Sequence, residues 1–319
     1  MAAQPKFSVV IPTYNQADFL KIALRSVLNQ TFEDFEVIVV NNHSTDHTLE
    51  VVQQAQDSRV RSIDFRNNGV IGASRNVGIK ASEAPYVAFL DSDDFWYGNK
   101  LETIAEAIET DPESGLFCHD QEIIRDDKMA KESHYGPPDG FHGELSNYLM
   151  LVGNCVATSA TSVAKRFVEE VGYFSEEQDL ITVEDYDLWV RLSKVCRFKF
   201  IHKVLGKQNF HEASSSSNTE LHLRSGLAIL EKHIAELRER DRPYPNGAIR
   251  LRRAKAFFGA ARQSHRRGTL KKAFAYYSRA IGADPFYKST YAGLGLLFAD
   301  LVMGQARREK ITDAFLPGI

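Results

Sequence analysis

Apolar runs that stop abruptly at polar residues recur through the first hundred positions. Phe7-Ser8-Val9-Val10-Ile11 predicts a strand closed by Pro12, with Thr13-Tyr14-Asn15 as the loop beyond it. From Ala17 to Gln30 the apolar residues Phe19, Leu20, Ala23, Leu24, Val27 and Leu28 follow helical spacing. Phe35 to Val40 predicts a second strand, ending in Asn41-Asn42-His43-Ser44-Thr45-Asp46, where Ser44 or Thr45 is placed to cap the next helix. Val60 to Phe65 predicts a third strand, and Gly69 and Gly72 punctuate a loop before a helix containing Ser74-Arg75-Asn76-Val77-Gly78. Tyr86-Val87-Ala88-Phe89-Leu90, preceded by Pro85, predicts a buried strand that ends in Asp91-Ser92-Asp93-Asp94. The alternation predicts an α/β fold: a mostly parallel sheet with helices on both faces.

Farther along, Gly115 to Cys118 predicts a strand, while 125–140 mixes charge with Gly136, Pro137 and Pro138 and predicts a mobile excursion. Val163 to Val171 predicts a helix. So do Leu188, Leu192 and Val195, whose helix opens with Glu184 and Asp185. Phe198 to Val204 predicts a strand, and Ser214 to Ser217 a polar linker. Beyond it the periodicity is helical throughout: Leu221 to Leu237, Ala248 to His265, Thr269 to Gly282, and a mostly apolar stretch 289–306 before Arg307-Arg308. Two domains are expected, an α/β domain over 1–213 and an all-α region over 214–319. Ala273, Tyr276, Tyr277, Ala280 and Ile281, followed by Asp284-Pro285, resemble the second helix of a tetratricopeptide unit. A stable array needs about three such units, so a helical appendage is expected here.

Composition narrows the class. With 319 residues, 43% of them hydrophobic, the chain can bury a substantial core. Cys118, Cys155 and Cys196 are far apart, odd in number and without metal-ligand spacing, which points to reduced thiols and a cytoplasmic protein. No secretory leader or membrane-spanning run is expected, and no nucleic-acid partner. The net charge of −3 conceals an asymmetry. Residues 1–241 hold 24 Lys+Arg against 38 Asp+Glu, a net of −14, and residues 242–319 hold 15 against 4, a net of +11. Ten Lys or Arg and no acid fall between Arg242 and Lys272. Such a segment fits an anionic membrane surface, or equally a solvated face docked on the acidic domain.

The candidate chemistry lies where the strands stop. In a parallel sheet, Thr13-Tyr14-Asn15, Asn41-Asn42 and Asp91-Ser92-Asp93 emerge along one edge, where open α/β sheets bind ligands. Together they suit a nucleotide: a ring for the base, carboxylates for ribose and metal. Closely spaced carboxylates repel unless a cation sits between them. Hard oxygen ligands select Mg²⁺ or Mn²⁺. Taken alone, the acids would be a solvated turn. The G-x-G-x-x-G fingerprint of dinucleotide-binding domains is absent after the first strand.

In order and spacing, several segments resemble glycosyltransferase family 2. They are Ser8 to Asn15, Ser26 to Thr31, Phe35 to Val40, Ser44-Thr45-Asp46, Ala73 to Gly78, Phe89 to Asp94, and the stretch Val183 to Leu192. The resemblance covers about the first two-thirds of the chain. It implies the GT-A fold and inverting transfer of a single sugar from a nucleotide diphosphate donor, a UDP-sugar by expectation, to an acceptor hydroxyl. The acceptor would be a glycan, polysaccharide or lipid-linked saccharide. Pro12, Thr13 and Tyr14 match the loop lining the base pocket. Asn42 stands where the family usually has a base-contacting Asp, a departure that loosens base identity, since an amide both donates and accepts. Arg75 matches an Arg beside base or phosphates, or is a surface Arg paired with a carboxylate. Asp91 and Ser92 match the ribose side, Asp93 the Mn²⁺ or Mg²⁺ ligand, and Asp94 orients its neighbours or meets the acceptor. His211 either reaches the metal or diphosphate or is a surface loop residue.

Asp185 matches the family's general base, although acids in a first helical turn also serve simply as dipole partners. An acceptor hydroxyl is a poor nucleophile, and removing its proton during attack is worth roughly 10²–10⁴-fold. The membrane helices and Q-x-x-R-W motif of the family's processive synthases are absent, which favours single transfer. Two competing readings stand: a catalytically silent sugar-nucleotide-binding or scaffold protein acting through its helical tail, and a nucleotidyltransferase. Asp93 and Asp185 speak against the first. Pro12-Thr13-Tyr14-Asn15, which is no Gly-rich phosphate loop, speaks against the second.

Overall fold

A computed structural model describes residues 4–125, 128–210, 218–239 and 244–303. His211, the Ser214–Ser217 linker, Arg242 and Arg307-Arg308 lie outside the described residues. The chain forms two compact units, Met1–Ser217 and Asn218–Ile319.

The first unit begins with the anticipated alternation: β1 (Phe7–Thr13), α1 (Ala17–Leu28), β2 (Phe35–Asn41), α2 (Thr48–Gln54), β3 (Val60–Asp64), α3 (Ile71–Ala81) and β4 (Tyr86–Phe89). There follow β5 (Phe95–Trp96), α4 (Lys100–Thr110), β6 (Ser114–Arg125), β7 (Lys128–Ser133), α5 (Leu145–Leu151), β8 (Thr161–Ala164), α6 (Lys165–Val171), α7 (Glu184–Leu192) and β9 (Arg197–Phe210). Among the described residues nine strands form one sheet in the order β3-β2-β1-β4-β8-β6-β9-β5, with β7 paired to β6. The β3-β2-β1-β4 half is parallel. Beyond it β8 runs antiparallel to both β4 and β6, so the sheet is mixed.

β1 is flanked by β2 on one side and β4 on the other, so strand order reverses beside it. At such a switch point the connections leave the sheet in opposite directions and open a crevice at the carboxyl ends of the strands. The core supports that edge from below. Phe7, Val9, Ile11, Val37, Val39 and Ala88 are fully buried against Leu20, Leu24 and Leu101. α3 approaches β1 so closely that a Cβ on Gly78 would lie 2.4 Å from Val10 Cγ1, and only glycine fits there.

Several elements depart from the sequence reading. Residues 125–140 are not simply an excursion, because Lys128–Ser133 forms β7 and pairs with β6. Its exposed, charged side chains hid a strand whose two faces both meet solvent. Val163 belongs to β8, and the helix expected from it begins at Lys165. β9 runs on to Phe210, six residues past Val204. Neither Ser44 nor Thr45 caps α2. The N-cap position is His47, and Asp46 just before it reaches the first turn, Oδ1 accepting from Thr48 N at 3.1 Å while Oδ2 accepts from Ala17 N, the first residue of α1, at 3.0 Å. One carboxylate thus anchors two helix starts, which holds the β1 and β2 exits together.

The second unit comprises α8 (Thr219–Glu239), α9 (Asn246–Arg266), α10 (Leu270–Ala283) and α11 (Lys288–Met303). Phe257, Phe258, Ala261, Ala273, Tyr277, Ala280 and Leu297 form its core. The basic segment is not uniformly solvated. Arg252, Arg253, Lys255 and Arg262 are half-buried, whereas Arg250, Arg266, Arg267, Lys271 and Lys272 are exposed. Arg253 pairs with Glu231 of α8 at 2.6 Å.

Candidate active site

Three strand exits converge. Thr13 and Asn41 are register partners at the ends of β1 and β2, and Asn42 N donates to Thr13 O at 2.9 Å. Asn42 Oδ1 accepts from Asn67 N at 3.0 Å, so the amide that replaces the expected Asp braces the loop before α3. Asn15, in a left-handed conformation at φ 49°, ties the first exit to the second: its Oδ1 accepts from Thr45 N at 2.7 Å and its N–H donates to Ser44 Oγ at 2.9 Å. Tyr14 is left 56% exposed at the mouth.

Past β4 the chain turns tightly, Asp94 N donating to Asp91 O at 3.0 Å. Asp91 N donates to Ser159 Oγ at 3.0 Å, and Ser92 Oγ donates to Gln16 Oε1. Asn209, near the end of β9, closes the turn: its N–H donates to Asp94 Oδ1 at 2.9 Å and its side-chain amide to Asp93 O. Asp94 is buried. Burial first, then the adjacent Asp93 and Asp91 charges, push its carboxyl well above the ordinary carboxylate range.

On the opposite wall α7 begins with Glu184 and Asp185. Arg75 of α3 joins the walls: Nη1 donates to Glu184 Oε1 at 2.6 Å and Nη2 to Asp91 Oδ1 at 2.7 Å. Arg75 is buried, not on the helix surface, and the neighbouring carboxylates outweigh desolvation to raise its pKa. Asp185 Oδ2 accepts from Thr158 Oγ1 at 2.9 Å, and Oδ1 from Tyr186 N at 2.6 Å. Desolvation raises the Asp185 pKa, opposed chiefly by Arg75 and then by the Thr158 hydroxyl.

These groups enclose a cavity of about 760 Å³, within the range of small-molecule sites. Pro12, Thr13, Tyr14, Asn42, Arg75, Asp91, Ser92, Asp93 and Asp185 all line it. So do Asn154 and Thr158, from a stretch over 154–162 that resembles the family's acceptor side, and residues the sequence reading passed over, Tyr135, Gln208 and Asn209. None belongs to a motif of fixed spacing, and β-strand alternation in β9 is the sole signal that would have found Gln208. Five carboxylates (Asp91, Asp93, Asp94, Glu184, Asp185) and one guanidinium stand in the lining. The donor set of Asp91 and Asp93 is hard oxygen in a surplus of negative charge, which fits Mg²⁺ or Mn²⁺. A second hollow of about 330 Å³, lined by Lys21, Ile22, Arg25 and Trp96 among others, contains no carboxylate.

Comparison with known proteins bears on this site. The model for glycosyl transferase family 2 matches residues 8–167. An uncharacterized glycosyltransferase of Rickettsia conorii is 29% identical over 239 residues, spanning 73% of this chain and 39% of that protein. The chain therefore covers about two-fifths of that relative's length. A UDP-Glc:alpha-D-GlcNAc-diphosphoundecaprenol beta-1,3-glucosyltransferase, WfaP of Escherichia coli, is 29% identical over 214 residues, 66% of this chain and 80% of WfaP. Among solved structures, Staphylococcus aureus TarS 1–349 in complex with UDP-GlcNAc aligns with a TM-score of 0.62 at 20% identity, covering 87% of this chain and 81% of that one. The mannosyltransferase PcManGT from Pyrobaculum calidifontis, in complex with GDP-Man and Mn²⁺, aligns at 0.58 and 16% identity, covering 96% and 83%. The structural likenesses establish the fold, a mixed α/β sheet with flanking helices and a helical C-terminal region of the GT-A kind.

Proposed function

The chain belongs to glycosyl transferase family 2, and from that premise we propose that it transfers a single sugar, with inversion, from a UDP-sugar to an acceptor hydroxyl in the synthesis of a glycan or lipid-linked saccharide. The observation that carries this reading is the convergence of the three strand exits with Asp185 on one cavity. WfaP, with its UDP-Glc donor and diphosphoundecaprenol-linked acceptor, and TarS, crystallised with UDP-GlcNAc, support the choice of donor and acceptor class.

In this reading Pro12, Thr13, Tyr14 and Asn42 hold the base. Asp91 and Ser92 lie on the ribose side, and Arg75 acts through Asp91 and Glu184 by fixing both. Asp93, with Asp91 near it, holds Mn²⁺ or Mg²⁺, and PcManGT's Mn²⁺ supports the choice of ion. When bound, the ion supplies positive charge to the leaving diphosphate. A nucleoside diphosphate entering a cavity with five carboxylates and one Arg would otherwise meet strong repulsion. Asp185 takes the acceptor proton. Burial raises its proton affinity while Arg75 and then Thr158 oppose the rise, so the carboxylate is a stronger base than a solvated one and still keeps a partner for its charge. His211 is a further metal ligand in this proposal.

The helical unit adds a membrane reading. No described helix is long and apolar enough to cross a bilayer. Five exposed cations between residues 250 and 272, each worth about 1 kcal/mol beside an anionic leaflet, support peripheral attachment at the cytoplasmic face. Phe298, Leu301 and Val302 of α11 are exposed apolar residues suited to the interface.

Donor hydrolysis, with water as acceptor, tests the enzyme directly. Wild-type protein should release UDP from UDP-glucose or UDP-GlcNAc in Mn²⁺, and Asp185→Asn should slow it by roughly 10²-fold or more. A protein that binds UDP but never turns over any UDP-sugar, with or without candidate acceptors, would return the scaffold reading.

A further inference from the structure

On the sheet beyond the cavity, three side chains from separate segments aim one ligand atom each at a common point. Asp120 lies in β6, His134 immediately follows β7, and His202 lies in β9. Asp120 Oδ2 is 2.8 Å from His134 Nδ1 and 3.4 Å from His202 Nδ1, and one ligand atom from each residue lies within 4.8 Å of the other two. We infer that Asp120, His134 and His202 form a binding site for a transition-metal ion of the zinc type, separate from the carboxylates of the cavity.

The His202–Asp120 separation already matches what such an ion requires, and the 2.8 Å His134–Asp120 contact is a hydrogen bond that the ion would replace. Zinc–nitrogen and zinc–oxygen bonds of about 2.0–2.2 Å at tetrahedral angles put neighbouring ligand atoms about 3.3–3.5 Å apart. Asp120 is 2% exposed, and its other oxygen, Oδ1, accepts from Tyr135 N at 2.9 Å. That bond fixes the carboxylate plane and presents Oδ2 to both rings, as outer-shell bonds do at metal sites. The rings are open to solvent, the side chains of His134 and His202 being 67% and 56% exposed, so an ion has an entry path and water can fill a fourth position. A buried carboxylate needs charge compensation, which a divalent ion at Oδ2 would supply. Two imidazoles and one carboxylate select zinc, cobalt or nickel over Mg²⁺ or Mn²⁺, which favour all-oxygen sites.

The position has a consequence for the cavity. His134 adjoins Tyr135, a cavity-lining residue whose hydroxyl donates to Gln121 Oε1 at 3.2 Å. An ion bound here clips β6, β9 and the chain after β7 together, and so holds the Tyr135 wall in place.

Cobalt serves as probe because its visible d–d bands report nitrogen and oxygen coordination. Co²⁺ is titrated into the full chain as wild type, as Asp93→Ala, and as the His134→Ala/His202→Ala double variant. Wild type and Asp93→Ala should each develop the bands at one equivalent and lose them to Zn²⁺. The double variant, folded by circular dichroism because both rings are exposed, should lack the bands and that equivalent while still binding UDP with Mn²⁺. Absence of the bands in wild type, or their survival in the double variant, overturns the proposal. Either result reads metal binding directly, whatever the outcome for sugar transfer.

Discussion

Arg75 Nη1 and Glu184 Oε1, 109 residues apart in sequence, lie 2.6 Å apart between the walls of the cavity. The same guanidinium reaches Asp91, so α3, the end of β4 and the start of α7 are held by one cation. Glu184 is buried, and its own carboxyl is pushed up by desolvation and drawn back by Arg75. Removing the cation leaves a buried carboxylate unmatched, typically a loss of about 3–5 kcal/mol. Arg75→Gln should therefore lower the unfolding free energy by about that amount in urea denaturation. Glu184→Gln should cost less, since Arg75 keeps Asp91. Equal, small effects from both variants would show that the bridge does not hold the walls.

Asp94 gives a pH-dependent prediction. Its folded-state pKa is raised, so the folded protein holds a proton that the unfolded chain releases near the ordinary carboxylate pKa of about 3.9. Its contribution to stability is therefore fully present below that pH and is lost as pH rises through the folded value. Asp94→Asn, which keeps an acceptor for Asn209 N, should raise the metal-free melting temperature at pH 7 and change it little at pH 4. A variant destabilised at pH 7 would mean that the ionised form is favoured.

Thr158 tests the setting of the base. Its hydroxyl donates to Asp185 Oδ2 at 2.9 Å and stabilises the carboxylate. Thr158→Val removes that donor, so the acid limb of the kcat/KM profile for UDP-sugar turnover should move to higher pH. At a pH well above the limb the rate should fall far less than in Asp185→Asn. An unmoved acid limb would separate Asp185 from proton transfer.

For the helical unit, vesicle co-sedimentation with phosphatidylserine should pellet the protein at low salt and release it as salt rises. Substituting Gln for Arg250, Arg266, Arg267 and Lys271, all exposed, should weaken binding more than substituting Gln for half-buried Arg252 and Arg253. Protein that remains in the supernatant at low salt would assign the basic residues to another purpose.

The parts of this molecule legible in the sequence share one property: a periodic apolar pattern interrupted by a polar stop. β1, β2 and β4 show it, and so the lining from Thr13, Asn42 and Asp91 is legible in the sequence. β7 was not, because a strand with both faces exposed carries no alternation. The link from Asp46 to the start of α1 is not legible locally, because its partner Ala17 precedes it by 29 residues. Asn209 reaches the cavity through pairing of β9 with β6, and Tyr135 through pairing of β7 with β6 and its bond to Asp120, which local sequence does not encode. Arg75 was readable as a candidate, but its two partners could be identified only once α7 was packed against α3's neighbours.

The central claim is that the acidic cavity takes a nucleoside diphosphate by way of a divalent cation at Asp93. Calorimetric titration of UDP into the full chain, with and without Mn²⁺, tests it most directly. The account predicts tight binding with Mn²⁺, weak binding without it, and loss of the difference in Asp93→Ala. Equal affinity for UDP in the presence and absence of Mn²⁺ in wild type would contradict it.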